Sequence, residues 1–417
     1  MIVSCGQMQA MTLAESAGVW QVVERLANQA AEAGADLLVL PEATYPAYWL
    51  KSATRYMQTD IERTPVVLDR FSKYAERHGL WLVVGFVEES GGRLYNSAAV
   101  IDRGGAVVGI ARKSFLWDCD NRWFSPAEKL SVFDTEFGRM GVLICADARA
   151  PEIAATLAAQ GAQFMILPTA WVNASKERRV YRNIHPDFLI RARAMEFGVP
   201  FACASKSGRE GDFLEYVGQS RIVSAEGRVL AQAEAEGEHL ITAEMTPHDS
   251  KPPNIDAATL KRVLSPEPPY RAATLGGRCT IQLRADADGI FSTLQSAGAR
   301  VAKVAASELA TFPPLRCHAL SGAQVVVAKG RVADEVMARA RAAENRVYVI
   351  VASDSAQLVV DPDGAIIRRE ADGSQALELD LARSDIKKFT PATDLWEQRH
   401  VASYRLGEQV ASCPASL

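Results

Sequence analysis

Short apolar runs and longer amphipathic stretches alternate along the first 245 residues. Leu37–Leu40, Leu80–Val87, Ala98–Ile101, Met140–Ile144, Phe164–Leu167, Val199–Ala204 and His239–Ala243 read as buried strands. Between several of them, Val19–Ala33, Thr64–His78, Pro151–Gln160 and Asp187–Phe197 have a helical pattern. Gly34, Gly79, Gly161 and Gly198 follow these stretches, where a left-handed residue closes a last helical turn. The alternation predicts an α/β domain with buried sheets. Gly104-Gly105 and Glu226-Gly227 separate apolar segments and predict hairpins, so antiparallel pairs are mixed into those sheets.

The pattern breaks at Pro247, Pro252, Pro253, Pro266, Pro268 and Pro269. Such a stretch is a poor helix or strand, so residues 247–276 are expected to connect two domains, 1–246 and 277–417. The second part repeats the first. IRARAMEFGVPFACASKS at 190–207 matches ARARAAENRVYVIVASDS at 338–355. Gly161-Ala162-Gln163 and Gly322-Ala323-Gln324 each lead an apolar strand. SRIVSAEGRVL at 220–230 resembles AQLVVDPDGAI at 356–366, EGEHLITAEM resembles DGSQALELDL, and 33–46 resembles 297–313. These colinear matches predict that the second domain is a shortened copy, lacking a counterpart of roughly residues 50–150.

Composition narrows the class. The 417 residues are 48% hydrophobic and 23% charged, which excludes a disordered, collagen-like or low-complexity chain. A net charge of −4 without blocks of like charge argues against nucleic acid or an anionic membrane as partner. Apolar runs such as Leu80–Val87 are too short to span a bilayer. Residues 1–10 lack the basic stretch and long apolar core of a signal peptide, and Ile2 and Val3 read as a first core strand. Cys5, Cys119, Cys145, Cys203, Cys279, Cys317 and Cys413 are odd in number and irregularly spaced, which predicts reduced thiols in a cytoplasm.

The chain has no Gly-x-Ser-x-Gly elbow, phosphate-binding glycine loop or Cys-x-x-Cys pair. His78, His185, His239, His248, His318 and His400 form no His-x-x-x-His pair, so no zinc site is expected. What remains is a thiol, a carboxylate and an amine. Cys145 ends the strand Gly141–Ile144 just before a helix opened by Pro151, whose N-terminal dipole favours a thiolate. Glu42 follows a strand in Leu-Pro-Glu, and Lys113 follows the hairpin Ala99–Ile110. Singly, the three read as a buried structural thiol, a solvated acid and a surface lysine. Together they have a mechanism. The carboxylate takes the thiol proton, the thiolate attacks an electrophilic carbon, and the ammonium and a backbone N–H hold the oxyanion.

Leu-Pro-Glu, then Arg112-Lys113, then Ile-Cys-x-Asp-x-Arg-x-Pro-Glu at 144–152 resembles the nitrilase superfamily of carbon–nitrogen hydrolases over residues 1–245. Tyr95-Asn96-Ser97-Ala98, Phe137-Gly138 and Pro168-Thr169-Ala170 add to the likeness. The resemblance implies a four-layer αββα sandwich followed by a smaller, truncated α/β repeat. It implies Glu42 as general base, Lys113 as oxyanion stabiliser with the Ala146 N–H, and Cys145 as nucleophile, with no metal or organic cofactor. The family's second active-site glutamate falls on Asp120 here. Asp reaches about 1.5 Å less far, so the backbone compensates, a water bridges, or Glu128 supplies the charge.

Cys145-Ala146-Asp147 looks like the amidase and carbamoylase branches, whereas nitrile-cleaving branches typically show Cys-Trp-Glu. The implied activity is hydrolysis of a small carboxamide or N-carbamoyl compound. A nitrile hydrolase, an amine acyltransferase with the same site, and a silent scaffold are the alternatives. Tyr48, Trp49, Trp117, Trp123 and Trp171 are candidate pocket walls. Arg149 is a substrate contact or the partner of Asp147 or another acid, and His185 reads as a helix-start residue. In the second domain, Glu308 or Leu309 falls near the Glu42 position, the lysine and cysteine have no counterpart, and the copy is expected to be inert. Family members dimerise through the helix after the nucleophile and the helix equivalent to 187–197. A counterpart of the latter at about 332–345 suggests a dimer partner mimicked in cis, with a homo-oligomer still open.

Overall fold

The computed structural model describes residues 1–406, apart from 176, 178–179, 213, 283–286, 354–355 and 371–375. Cys413 lies outside them. The other six cysteines are unbridged. The chain divides into two compact units, Met1–Pro252 with the segment from Ala402, and Pro253–Val401. The break falls inside the proline-rich stretch. That stretch is no plain connector, because Ala257–Val263 is a helix whose first turn is capped by the Asp256 side chain. The segment from 402 is part of the first unit, where the Arg405 N–H donates to Thr156 Oγ1 at 3.0 Å.

The first unit is mixed α/β. Its strands are β1 (Ile2–Gln9), β2 (Leu37–Val39), β3 (Trp81–Ser90), β4 (Arg93–Ile101), β5 (Val107–Arg112), β6 (Val132–Thr135) and β7 (Gly138–Val142). They continue as β8 (Phe164–Thr169), β9 (Phe201–Glu210), β10 (Leu214–Val217), β11 (Arg221–Val223), β12 (Val229–Gln232) and β13 (His239–Glu244). Hydrogen bonding joins β13-β1-β2-β3-β4-β5 on one side and β6-β7-β8-β9-β11-β12 on the other. The two sets meet where Met8 pairs with Lys206. The expected hairpins are β4–β5 and β11–β12.

Helices cover the outer faces. α1 (Val19–Glu32) and α3 (Thr64–His78) bury Val23, Leu26 and Phe71 against Leu38, Leu82 and Val84, with the short α2 (Ala53–Gln58) before α3. α4 (Pro151–Ala159) packs on β7, and α5 (Ile190–Phe197) on α4 and β11. β3 and β2 pack against β8 on the inner side. Period-two alternation sends successive residues of β2 and β3 to the helices and to the opposite sheet, so both faces are apolar. Gly79 and Gly198 take φ of 62° and 65° at the ends of α3 and α5, as a terminating turn requires. The expected start of the last helix at Asp187 is replaced by a π-helical turn over His185–Leu189.

The second unit begins with the 257–263 helix, α6. After it come β14 (Arg278–Gln282), α7 (Ala287–Ser296), β15 (Val301–Ala305), α8 (Pro313–Leu320), β16 (Val325–Lys329) and α9 (Glu335–Asn345). β17 (Tyr348–Ser353), β18 (Ala356–Val360), β19 (Ile366–Glu370) and β20 (Ala376–Asp380) complete its main elements. β15-β16-β17-β18-β19 form one sheet, and β14 pairs with β20. Leu315, Ala338 and Ala342 fill one face of the sheet. Ile290 and Leu294 of α7, with Ile281 and Leu379, fill the other.

β15 is placed differently from β2, the strand that the expected match of 297–313 to 33–46 would give it. β15 runs parallel to β16 at the sheet edge, as β7 runs beside β8, whereas β2 lies between β1 and β3. The bonds agree. Arg139 and Arg300 each donate a backbone N–H to a glutamine, Gln163 or Gln324, at 3.0 Å. Ile144 N–H donates to Asp147 Oδ2 at 2.9 Å, and Ala305 N–H to Glu308 Oε2 at 2.6 Å. Glu308 thus accepts a backbone N–H from three residues earlier, as Asp147 does.

Candidate active site

Glu42 is placed by a turn that crosses a glycine. Leu40 N–H donates to Val83 O at 2.9 Å, Gly85 N–H to Pro41 O at 3.1 Å, and Thr44 N–H to Gly85 O at 2.8 Å. A Cβ at Gly85 would lie 2.4 Å from Pro41 O and 2.6 Å from Glu42 Cα. Only a residue without a side chain lets the Pro41–Thr44 turn lie this close to β3. Lys113 leaves β5 with its N–H bound to Asn96 O at 2.8 Å, which fixes it beside β4. Cys145 follows β7 with φ at 47°, a left-handed conformation uncommon for a residue with a side chain.

These segments bring three expected residues and one more together. Lys113 Nζ lies 2.6 Å from Glu42 Oε1 and 2.6 Å from Asp120 Oδ2. Asn96 Nδ2 donates to Glu42 Oε1 at 2.7 Å and to Asp120 Oδ1 at 3.4 Å. Lys113 is 1% exposed, and Glu42 and Asp120 are fully buried, so these charges are stable only as a set. The shorter Asp120 reaches because the turn Asp118–Arg122 carries it in, with Trp117 N–H donating to Asp120 Oδ2 at 2.8 Å. Glu128 is exposed and pairs with Arg93, so it does not supply the second acid.

The electrostatics of the thiol correct the expectation of a helix-stabilised thiolate. Burial, and then the Glu42 charge, push the Cys145 thiol up to about 12, while Lys113, the Thr169 hydroxyl and the Ala170 N–H oppose the rise only in part. The Lys113 ammonium loses hydration on burial, yet Asp120, Glu42 and Cys145 hold its pKa well above the ordinary lysine value. Glu42 Oε2 has no hydrogen-bond partner among the described residues, although Oε1 has two.

Asp147 takes a role that the sequence did not suggest. Its Oδ1 accepts from the N–H groups of Ser114 and Phe115 at 3.0 and 2.7 Å, and its Oδ2 from Ile144 N–H. One carboxylate thus ties the residues after Lys113 to the strand end before Cys145. Burial raises its pKa to about 6 against the pull of those donors. Asp147 is therefore not available to Arg149, whose guanidinium lies 4.3 Å over the Trp117 ring. Arg193, buried on α5, donates from Nε to Ala148 O at 3.0 Å and pairs with Glu196.

Of the expected walls, Tyr48 has its ring 5.8 Å from Lys113 Nζ. Trp49 and Trp123 meet edge-on at 5.1 Å in the same apolar cluster as Tyr48. Trp171 is fully buried and stacked on His185 at 5.9 Å. Ala146 follows Cys145 in the turn Cys145–Arg149. The described residues contain no group of His, Cys, Asp and Glu suited to a metal ion, and no helix is long and apolar enough to cross a membrane.

A buried thiol acted on by a carboxylate and a lysine in a mixed α/β unit suits a hydrolase that works through sulfur. The sequence profile of the carbon–nitrogen hydrolases matches residues 2–252, and the chain belongs to that family. The omega-amidase NIT2 of Xenopus tropicalis is 32% identical over 232 residues, 53% of this chain and 80% of that protein. The N-carbamoylputrescine amidase of Arabidopsis thaliana is 28% identical over 236 residues, 53% of this chain and 79% of that protein. Among solved structures, an amidase from Nesterenkonia sp. AN1 superposes with a TM-score of 0.53 at 25% identity, over 59% of this chain and 93% of that one. That structure is a glutamate-to-glutamine variant with acrylamide added to its active-site cysteine. Another of the same amidase, with the cysteine replaced, holds butyramide, at a TM-score of 0.52 and 26% identity over 60% of this chain and 91% of that one. The protein is a carbon–nitrogen hydrolase of amide bonds other than peptide bonds.

Proposed function

We propose that Cys145 attacks the carbonyl of a small carboxamide or N-carbamoyl compound and forms an acyl-enzyme. Glu42 takes the thiol proton as the S–C bond forms, because a thiol held near 12 does not ionise beforehand at neutral pH. Lys113 and the Ala146 N–H face the developing oxyanion. Glu42 then gives its proton to the departing nitrogen and the C–N bond breaks. A water repeats the attack, losing its proton to Glu42 and releasing the acid. Asp120 keeps Lys113 charged and placed. The observation that carries this reading is the Glu42 carboxylate, with one oxygen held by Lys113 and Asn96 and the other unpartnered. Ammonia release from a panel of aliphatic amides, carbamoyl compounds and nitriles tests it. Release from an amide or carbamoyl compound is expected, and release from nitriles alone overturns it.

The same reading takes the first unit as a four-layer αββα sandwich and residues 277–401 as a truncated, inert repeat. Several parallels support the repeat. β15-β16-β17-β18-β19 pair in the order and sense of β7-β8-β9-β11-β12. Arg191 Nε donates to Gly227 O at 2.8 Å, as Arg339 Nε does to Gly364 O at 2.8 Å. The buried pairs Arg193–Glu196 and Arg341–Glu344 occupy matching helical positions. The deleted stretch is then about 36–138, which removes the Glu42 and Lys113 equivalents while Ala306 replaces the nucleophile. The inert copy stands in for a dimer partner in cis. Light scattering is expected to give a mass near 45.2 kDa, and assembly into spirals contradicts this. A cytoplasmic, reducing setting belongs to the proposal, supported by the six unbridged cysteines.

A further inference from the structure

Trp171, next in the chain after Thr169 and Ala170, and the His185 ring stacked on it carry two buried polar atoms that the hydrolysis does not use. Trp171 is 0% exposed and His185 2% exposed, and neither Trp171 Nε1 nor His185 Nε2 has a hydrogen-bond partner among the described residues. A buried indole N–H ordinarily finds an acceptor, and a buried acceptor left unpaired weakens the fold. Thr169 and Ala170 are among the groups that act on the Cys145 thiol, and Trp171 follows them with its backbone held in extended pairing by Val217 N–H at 2.9 Å. Thr169 and Trp171 are two positions apart on extended chain, so their side chains share a face. His185 stacks on Trp171 with rings 16° from parallel.

The ring nitrogens of His185 have fixed roles. Asn183 Nδ2 donates to Val172 O at 2.8 Å, so Asn183 Oδ1 is an acceptor. It receives the His185 backbone N–H at 3.0 Å and His185 Nδ1 at 2.7 Å, so Nδ1 carries the proton. Burial, and then the charges of Arg149, Arg193 and Lys113, hold His185 neutral, which leaves a bare lone pair on Nε2. The site thus offers one donor and one acceptor on adjacent stacked rings.

We propose that Trp171 Nε1–H and His185 Nε2 form a subsite that reads a neutral group able both to donate and to accept a hydrogen bond, a hydroxyl or second carboxamide on the substrate's acyl chain. This rests on the amide-hydrolase reading for its substrate and deepens it. A carboxylate in that place meets the Nε2 lone pair with another acceptor. An apolar chain leaves both atoms unpaired, and sites built for a hydrogen bond reject analogues that lack it.

Binding to the Cys145→Ala protein tests the subsite without requiring turnover, so its outcome is separate from that of the ammonia panel. Dissociation constants are measured by calorimetry for succinamide, its carboxylate isostere succinamate, 3-hydroxypropanamide and butyramide. Succinamide is expected to bind at least about tenfold tighter than succinamate, and 3-hydroxypropanamide about tenfold tighter than butyramide. His185→Phe keeps a ring on Trp171 and removes the acceptor, and Trp171→Phe removes the donor. In folded protein each is expected to collapse both ratios towards one. Equal binding across each pair in the parent, a preference for succinamate or butyramide, or ratios untouched by both substitutions overturns the proposal. If neither variant folds, the parent's two ratios alone decide it.

Discussion

Glu42→Gln is expected to lower kcat/KM for amides by about 10³-fold, in the range attributed to a positioned proton-transfer group, while Cys145 stays open to alkylation. The two readouts separate because Glu42 does two things to the thiol. Its charge helps hold the pKa near 12, and its basicity lets the proton leave as the bond to carbon forms. Glutamine removes both. With the negative charge gone, Lys113, Thr169 and Ala170 act on the thiol unopposed by Glu42, so the thiol pKa falls. Alkylation by a small neutral electrophile then proceeds through the thiolate fraction, which the lowered pKa enlarges, without Glu42 to take the proton. Turnover still fails, because no group receives the proton from the attacking water or returns one to the departing nitrogen. Intact mass for labelling, alongside ammonia release, measures both. Parent-like turnover contradicts the assignment of Glu42, and loss of labelling together with turnover reduces its role to holding the fold.

Lys113→Met is expected to be the most damaging substitution to stability and activity together. The ammonium bridges Glu42 Oε1 and Asp120 Oδ2, each at 2.6 Å, in a site with almost no solvent. Removing it leaves two buried carboxylates facing each other around Asn96, and breaking a buried ion pair in this way costs about 3–5 kcal/mol. The lost oxyanion contact lowers kcat by about 10²–10³-fold in any molecules that fold. Methionine fills a similar volume, so the loss reports charge and not a cavity. Denaturant unfolding of the first unit, followed by tryptophan fluorescence, gives the stability term. An unchanged midpoint contradicts the description of a coupled buried set.

Local signals carried far in this chain. The helix Thr64–His78 was legible at both ends, because Pro65 suits a first turn and Gly79 a terminating left-handed residue. Glu42, Lys113 and Cys145 were legible because each follows a strand, and strand ends gather where sheets present their loops. What was not legible depends on packing between distant segments. Asp147 looks like one more acid near a helix start, yet it bonds backbone on both sides of the site. Gly85 looks like a weak point in an apolar strand, and its meaning lies in a turn more than forty residues earlier. The sign of the thiol shift was missed because burial and a neighbouring carboxylate outweigh a helix end. The 297–313 segment begins Ala297-Gly298-Ala299, which reads like Ala33-Gly34-Ala35, yet β15 pairs unlike β2. Two of its hydrogen bonds, from Arg300 and Ala305, resemble those from Arg139 and Ile144.

The most direct test of the account is ammonia release from butyramide and succinamide by the parent protein and by Cys145→Ala in parallel. The account predicts steady release by the parent and none above the uncatalysed rate by the variant, with both proteins folded. Release that survives loss of the thiol would contradict an acyl-enzyme on Cys145 and remove the basis for every role assigned to Glu42, Lys113 and Asp120.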